Sequence, residues 1–233
     1  LSDLLVMVPT RGRREQCERL LKSFRDTAKH ADILFILDPD DEAAYEGMDW
    51  GDALHAVLAP RGTLSDKLNQ TAAAMAGQYP ALFWTGDDHV FSVPGWDQMM
   101  LARLEGMGGH GWVYPACGSD SPEIWLASAS VTEHLGWFFP PFLSHYCGDS
   151  VVAELGKRAG LLQFCPDAIA EHKHWSRDRA VERDVTYREA EEAHAQADAA
   201  AWRQWRADVL PFDAAALRRR FNKDVAWVLS RVA

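Results

Sequence analysis

Asp87, Asp88 and His89 stand side by side directly after the apolar run Ala81 to Thr85. Two adjacent carboxylates and an imidazole at a strand end suit an octahedral divalent cation such as Mn2+ or Mg2+. An ion there would bridge a diphosphate and stabilise the charge that grows on a departing phosphate. Taken alone, the trio also reads as an Asx-type turn with a solvated acidic tip. Glu171-His172-Lys173-His174 follows another apolar segment and offers a distant imidazole to complete a metal shell, or a surface loop with ordinary histidines. Gly148-Asp149-Ser150 places a carboxylate at a helix start. Asp caps such a start, stabilising by roughly 0.5–2 kcal/mol; in a cleft it can instead take a proton from an attacking hydroxyl. Pro9-Thr10-Arg11-Gly12-Arg13 presents cations and backbone N–H groups suited to phosphates. Asp38 can accept hydrogen bonds from a base or ribose, and Lys67 and Asn69, near another helix start, can reach the same pocket.

The elements that must position these groups follow from the pattern of apolar residues. Leu4 to Val8 and Ile33 to Leu37 are short apolar runs ending in polar or turn residues, which predicts buried strands; Leu54 to Leu58 is a third candidate strand, and Ala81 to Thr85 a fourth apolar run. Between the first two, Cys17, Leu20, Leu21, Phe24 and Ala28 recur at helical spacing. Thr63 or Ser65 can cap a second helix reaching about Ala76, with Gly77 as its stop. Strands alternating with helices predict a mostly parallel α/β sheet flanked by helices. In such sheets ligands gather at the carboxyl ends of the strands. The clusters Thr10 to Arg13, Asp38 to Asp41 and Asp87 to His89 all fall at those ends, the strongest physical pointer to a site. Further on, Trp112 to Tyr114, Ile124 to Leu126, Leu161 to Cys165 and Ala168 to Ala170 read as strands, and 148–159 as a helix closed by Gly160. From Arg188 the composition turns to Ala, Glu, Gln and Arg, and Asp213 to Val232 reads as a last helix, so a helical C-terminal tail is expected.

With 233 residues the chain can bury one sizeable core. No run approaches the roughly 20 apolar residues that span a bilayer. Leu1-Ser2-Asp3 opens without a signal-peptide pattern, and Cys17, Cys117, Cys147 and Cys165 show no disulfide or zinc spacing. A cytoplasmic protein with reduced thiols is the expectation. The net charge of −10 weighs against a nonspecific nucleic-acid binder. Ten tryptophans are many for this length; sugar platforms are one use, and core filling accounts for most.

In their order and spacing, over residues 4–190, these segments resemble GT-A glycosyltransferases, in particular the family 2-like group. Val8 to Arg13 looks like the opening of that fold's nucleotide-binding half, and Asp38 matches the position that contacts the base. Gly86-Asp87-Asp88-His89, followed by Pro94-Gly95-Trp96, looks like the DXD strand end and its helix, with His89 where many members carry the second Asp. Cys147 to Leu155 resembles the later acidic segment that supplies the base in inverting members. Most members have Glu-Asp there; this chain has Gly148-Asp149. Glu171 to His174 resembles the late histidine of the metal site. Asp184-Val185-Thr186-Tyr187 is similar to a segment of small bacteriophage-encoded glycosyltransferases.

The resemblance implies a hexosyl- or pentosyltransferase with a GT-A domain over 1–187 and a helical extension over 188–233 packed on it. It implies a nucleotide-sugar donor, a UDP-sugar first, bound by Pro9, Thr10, Arg11, Arg13, Asp38, Lys67, Asn69 and Asp87. Mn2+ or Mg2+ would be held by Asp88, His89 and His172, with His174 as substitute, and Asp149 would act as the base of an inverting displacement. The acceptor stays open among a modified base such as a hydroxymethylated one in DNA, a protein and a glycan; Arg218-Arg219-Arg220 and Lys223 form a local basic edge or a solvated helix face. Two rival expectations stand beside it. One is a sugar-1-phosphate nucleotidyltransferase, which usually opens with a Gly-rich loop where this chain has Pro-Thr-Arg-Gly-Arg. The other is a catalytically inactive GT-A-like binding module.

Overall fold

The computed structural model describes residues 2–221 except 59, 120, 176 and 178–182. Strands β1 (Leu4–Pro9), β2 (Ala31–Leu37), β3 (Leu54–Val57) and β4 (Ala81–Trp84) form as the apolar runs predict, with α1 (Arg14–Thr27) and α2 (Leu64–Ala74) between them. Thr63 and Asp66 close a capping box at the start of α2. β1 pairs in parallel with β2 on one side and β4 on the other, and β3 extends the β2 edge. Side chains alternate across these strands. Leu4, Val6 and Val8 join Ile33, Phe35, Phe83 and the apolar face of α1 in one core. Leu5 and Met7 join Leu34, Ile36, Leu82 and residues of α2 in the other. Burial on both faces explains why β1, β2 and β4 read as unbroken apolar runs, whereas β3 lies at the sheet edge with Leu54 and His55 exposed.

The second half departs from a simple parallel pattern. After β5 (His89–Phe91) and α3 (Trp96–Gly106) come β6 (Trp112–Ala116), β7 (Trp125–Ser128), α4 (Ala129–Leu135), α5 (Gly148–Ala159) and β8 (Leu162–His172). One eight-stranded sheet runs β3-β2-β1-β4-β7-β6-β8-β5. The pairs β4–β7, β6–β7 and β5–β8 are antiparallel, whereas β6–β8 is parallel. The expected strands at Leu161 to Cys165 and Ala168 to Ala170 are one strand. Its ladder with β6 shifts register between Pro115 and Ala116, so that β8 can leave β6 and pair with β5. The strand expected at Ile124 to Leu126 lies slightly later, because its partner in β4 sets its span.

α6 (Val185–Asp208) and α7 (Leu210–Phe221) complete the described chain; residues 222–232 of the expected last helix, Lys223 among them, lie outside the described residues. Asp184 caps α6, so that helix begins before Arg188 and spans the expected 187/188 boundary. Trp205, Leu210, Ala214 and Leu217 are buried in the same core as Val151 and Leu155 of α5. No helix among the described residues is long and apolar enough to cross a membrane, and all four cysteines are free thiols.

Candidate functional site

The strand order reverses direction between β1 and β4, and there the polar strand ends meet. A cavity of about 580 Å³ opens at this point, lined by the ends of β1, β2 and β4, the start of α2, the 145–149 segment, His172, His174 and the first turns of α6. Pro9, Thr10, Arg11, Arg13, Asp38, Lys67, Asp87, Asp88, His89, Asp149, His172 and His174, all expected at the site, lie on its walls.

Asp88, His89 and His172 form the cluster suited to a cation: one ligand atom from each lies within 4.8 Å of the others. Chain distance is bridged by the sheet, since His89 of β5 is the antiparallel register partner of His172 of β8. Cross-strand partners share a face, and the two rings stack at 4.3 Å. His172 points Nε2 at Asp88 Oδ2 (3.3 Å) and Nδ1 at Glu123 Oε2 (2.9 Å). A carboxylate on the far nitrogen fixes ring orientation, the usual support of a metal-binding histidine. Glu123 is in turn held by Ser119 and Arg177. His89 Nδ1 lies 3.1 Å from Asp88 Oδ1, but without hydrogen-bond alignment, so both of its buried ring nitrogens lack a partner. Buried polar atoms without partners are costly; a ligand on them removes that cost, so these residues fit a divalent ion.

The charges agree with such a role. Burial alone would raise Asp88, yet the hydrogen bond from His172 and the close approach of the His89 ring hold it well below the carboxylate range. Burial lowers His89, keeping it neutral and able to ligate. For His172, burial is outweighed by Asp88 and Glu123, which push it up to about 9. Glu123 is drawn down to about 2, chiefly by His172, Ser119 and Arg177 against the opposing effect of burial. Tyr187 of α6 donates its hydroxyl to Asp88 Oδ2 at 2.5 Å. Gly86 packs closely against the cluster: a Cβ there would sit 2.6 Å from Asp88 Oδ1 and 3.3 Å from His89 Nδ1, so a side chain would displace them. His174 stands behind the cluster, its ring 4.9 Å from that of His172 and 4.7 Å from that of Tyr187.

On the β1–β2 side many groups expected to face a ligand also hold one another. Asp87 accepts from Thr10 (2.7 Å) and Arg13 (3.1 Å). Arg13 also bonds Asp184 at the cap of α6 through Nε and NH2, and its guanidinium lies 3.9 Å from the centre of the Tyr187 ring. Arg11 is paired bidentately with Asp40, at 2.7 and 2.9 Å. Lys67 Nζ lies 2.8 Å from Asp38 Oδ2, while the buried Asp38 Oδ1 has no partner. Asn69 departs from expectation. It is not on the cavity wall; its amide accepts from the N–H groups of Phe138 and Phe139 and donates to Phe139 O and Ser65 Oγ. Its amide is thus engaged by the aromatic 138–142 loop and by Ser65 of its own helix, turned away from the cavity wall.

Asp149 lies in the first turn of α5 and half-buried at the cavity. Its Oδ1 accepts from the Ser150 N–H (2.7 Å) and its Oδ2 from the Ser121 hydroxyl (3.2 Å). The glycine before it has a physical cause. A Cβ at Gly148 would lie 2.5 Å from Phe139 Cζ and 3.2 Å from a ring carbon of Trp125, both buried. Overpacking of this kind costs about 1–3 kcal/mol. Gly148→Ala is therefore expected to lower unfolding stability by about that amount in a denaturant titration. An unchanged midpoint would show that Phe139 moves aside freely.

Several site residues had no readable signal. Glu123 sits in the β6–β7 connection with no motif around it. His145 and Tyr146 line the cavity from a segment that reads only as a loop, and burial pushes the His145 imidazole down to about 4. On α6, Tyr187, Ala190 and His194 face the cavity, and the buried Asp198 and Trp205 continue that face. The spacing of those positions is helical, so a charged residue on that face was the available clue to Asp198. Of the tryptophans, Trp96, Trp112 and Trp125 are fully buried and Trp84 lines the cavity.

No protein-family model matches the chain, and no curated protein matches it in sequence. Solved structures do resemble it in shape. A mannosyltransferase from Pyrobaculum calidifontis, in complex with GDP-Man and Mn2+, is 13% identical and superposes with a TM-score of 0.54 over 92% of this chain and 72% of its own. Glucosyl-3-phosphoglycerate synthase from Mycobacterium tuberculosis, in complex with Mn2+, UDP and phosphoglyceric acid, is 12% identical, with a TM-score of 0.57 over 81% of this chain and 74% of its own. At these identities the likeness is one of architecture, and the curled mixed sheet with its flanking helices is the GT-A fold.

Proposed function

We propose that the protein is a metal-dependent glycosyltransferase that moves a sugar from a nucleotide-sugar donor to an acceptor hydroxyl with inversion. The observation that carries this reading is the meeting of Asp88, His89 and His172 in a cavity that is also lined by Asp38 and Asp149. Structures of the same fold solved with GDP-Man or UDP together with Mn2+ support a nucleotide-sugar and divalent-cation chemistry. Asp38, with one oxygen on Lys67 and the other free, receives the base; a UDP-sugar is the first donor to test. Pro9, Thr10, Arg11 and Arg13 shape the adjoining wall, with Arg13 and Asp87 holding the β1 and β4 ends together. Asp88, His89 and His172 would hold Mn2+ or Mg2+, which would supply charge neutralisation and Lewis acidity for the departing nucleoside diphosphate. Asp149 takes the acceptor's proton as its oxygen bonds to the anomeric carbon. Residues 1–187 carry the donor and metal sites, and the helical extension packs on them. The acceptor is a modified DNA base, a protein or a glycan; the phage-like Asp184 to Tyr187 segment is the feature that brings the first of these in.

A thermal-shift screen tests the reading. A ligand that binds the native state raises the midpoint by mass action. UDP-sugars with Mn2+ are expected to raise it and the same sugars with chelator are not. Pyrophosphate release from NTP and a sugar phosphate, or no response to any nucleotide-sugar, would defeat it.

A further inference from the structure

Asp198 is 2% exposed, in the middle of α6. Among the described residues no lysine or arginine pairs with it. Its Oδ1 accepts the Ser144 N–H at 2.8 Å, and its Oδ2 accepts those of His145 and Tyr146 at 2.8 and 2.7 Å. One carboxylate thus binds three successive amides, each by a charge-assisted bond. Directly afterwards comes Cys147, at φ 64 the one non-glycine residue with positive φ among the described residues. A β-carbon makes that conformation uncommon, and it persists where its surroundings over-determine it. Here α5 fixes the far side, with Val151 and Val152 fully buried and Gly148 tight against Phe139. Asp198 fixes the near side. Asn69 grips the same loop at Phe138 and Phe139, and Ser65 donates its N–H to Ser144 O. The stretch held between these grips carries His145, Tyr146, Cys147 and Asp149, all on the cavity wall.

We propose that Asp198 is a positioning residue for the transfer step, holding the 144–147 turn so that Asp149 faces the reacting hydroxyl. α6 is then part of the catalytic unit. This rests on the reading of Asp149 as the base.

Asp198→Asn keeps the size of the side chain and leaves one acceptor oxygen for three N–H groups. The variant and the wild type are compared in Mn2+·UDP binding by calorimetry and in steady-state consumption of UDP-glucose and GDP-mannose. The expected result is a kcat lower by roughly 10- to 100-fold, with donor KM and the Mn2+·UDP dissociation constant within about twofold. Binding and turnover falling in proportion, or neither changing, overturns the inference. A wild type that binds Mn2+·UDP and consumes neither donor defeats the transferase reading, and this inference with it. Hydrogen exchange on the wild type tests the grip without any substitution. The amides of Ser144, His145 and Tyr146 are expected to exchange at least ~10³-fold more slowly than open-loop amides; loop-like exchange overturns the inference.

Discussion

Replacing Asp149 with Asn is expected to lower sugar transfer by roughly 10²- to 10⁴-fold, the contribution of a positioned general base. The substitution conserves shape. Asn keeps an oxygen for the Ser150 N–H and presents its amide nitrogen to Ser121, whose hydroxyl oxygen can accept. Stability should therefore change by no more than ~1 kcal/mol. Donor binding with Mn2+ should stay within about twofold, since a group acting on the acceptor's proton contributes to kcat rather than to donor affinity. Transfer and donor affinity falling together would mean that Asp149 shapes the donor pocket and the base lies elsewhere.

Removing the divalent cation, or changing His172 to Ala, is expected to weaken donor binding and transfer by at least ~10²-fold. A pH dependence accompanies the loss. Without metal, Asp88 and Glu123 hold the His172 proton up to about 9. A cation must displace that proton, so Mn2+ affinity should rise with pH, by up to about tenfold per unit, until that value is reached. Metal-free stability runs the opposite way: the protonated pair supports the fold fully below the ordinary histidine value and less as pH climbs through 9. Comparing Mn2+ dissociation constants at two pH values in wild type and His172→Ala checks both points. A variant that binds Mn2+·UDP like the wild type, with the same slope, would remove His172 from the metal site.

The architecture of the first hundred residues was legible in the sequence because strands buried on both faces must be apolar throughout, and Leu4 to Val8, Ile33 to Leu37 and Ala81 to Trp84 are. Polar residues at their carboxyl ends marked the cavity for the same reason: a parallel sheet collects ligands where its crossovers part. The sequence by itself therefore determined the fold class, the location of the cavity and the strand-end part of its wall. What it left open was pairing between distant segments. β5 is the short stretch His89–Phe91, below any periodicity, and exists only through its ladder with β8. That ladder, with its particular register, sets His89 opposite His172. Asn69 and Asp198 show the same limit in opposite senses. One looked like a ligand-binding polar residue and holds the backbone of a loop, while the other drew no site expectation and is buried against three amides. A polar side chain's role is decided by which unpaired groups reach it, and only the tertiary structure decides that.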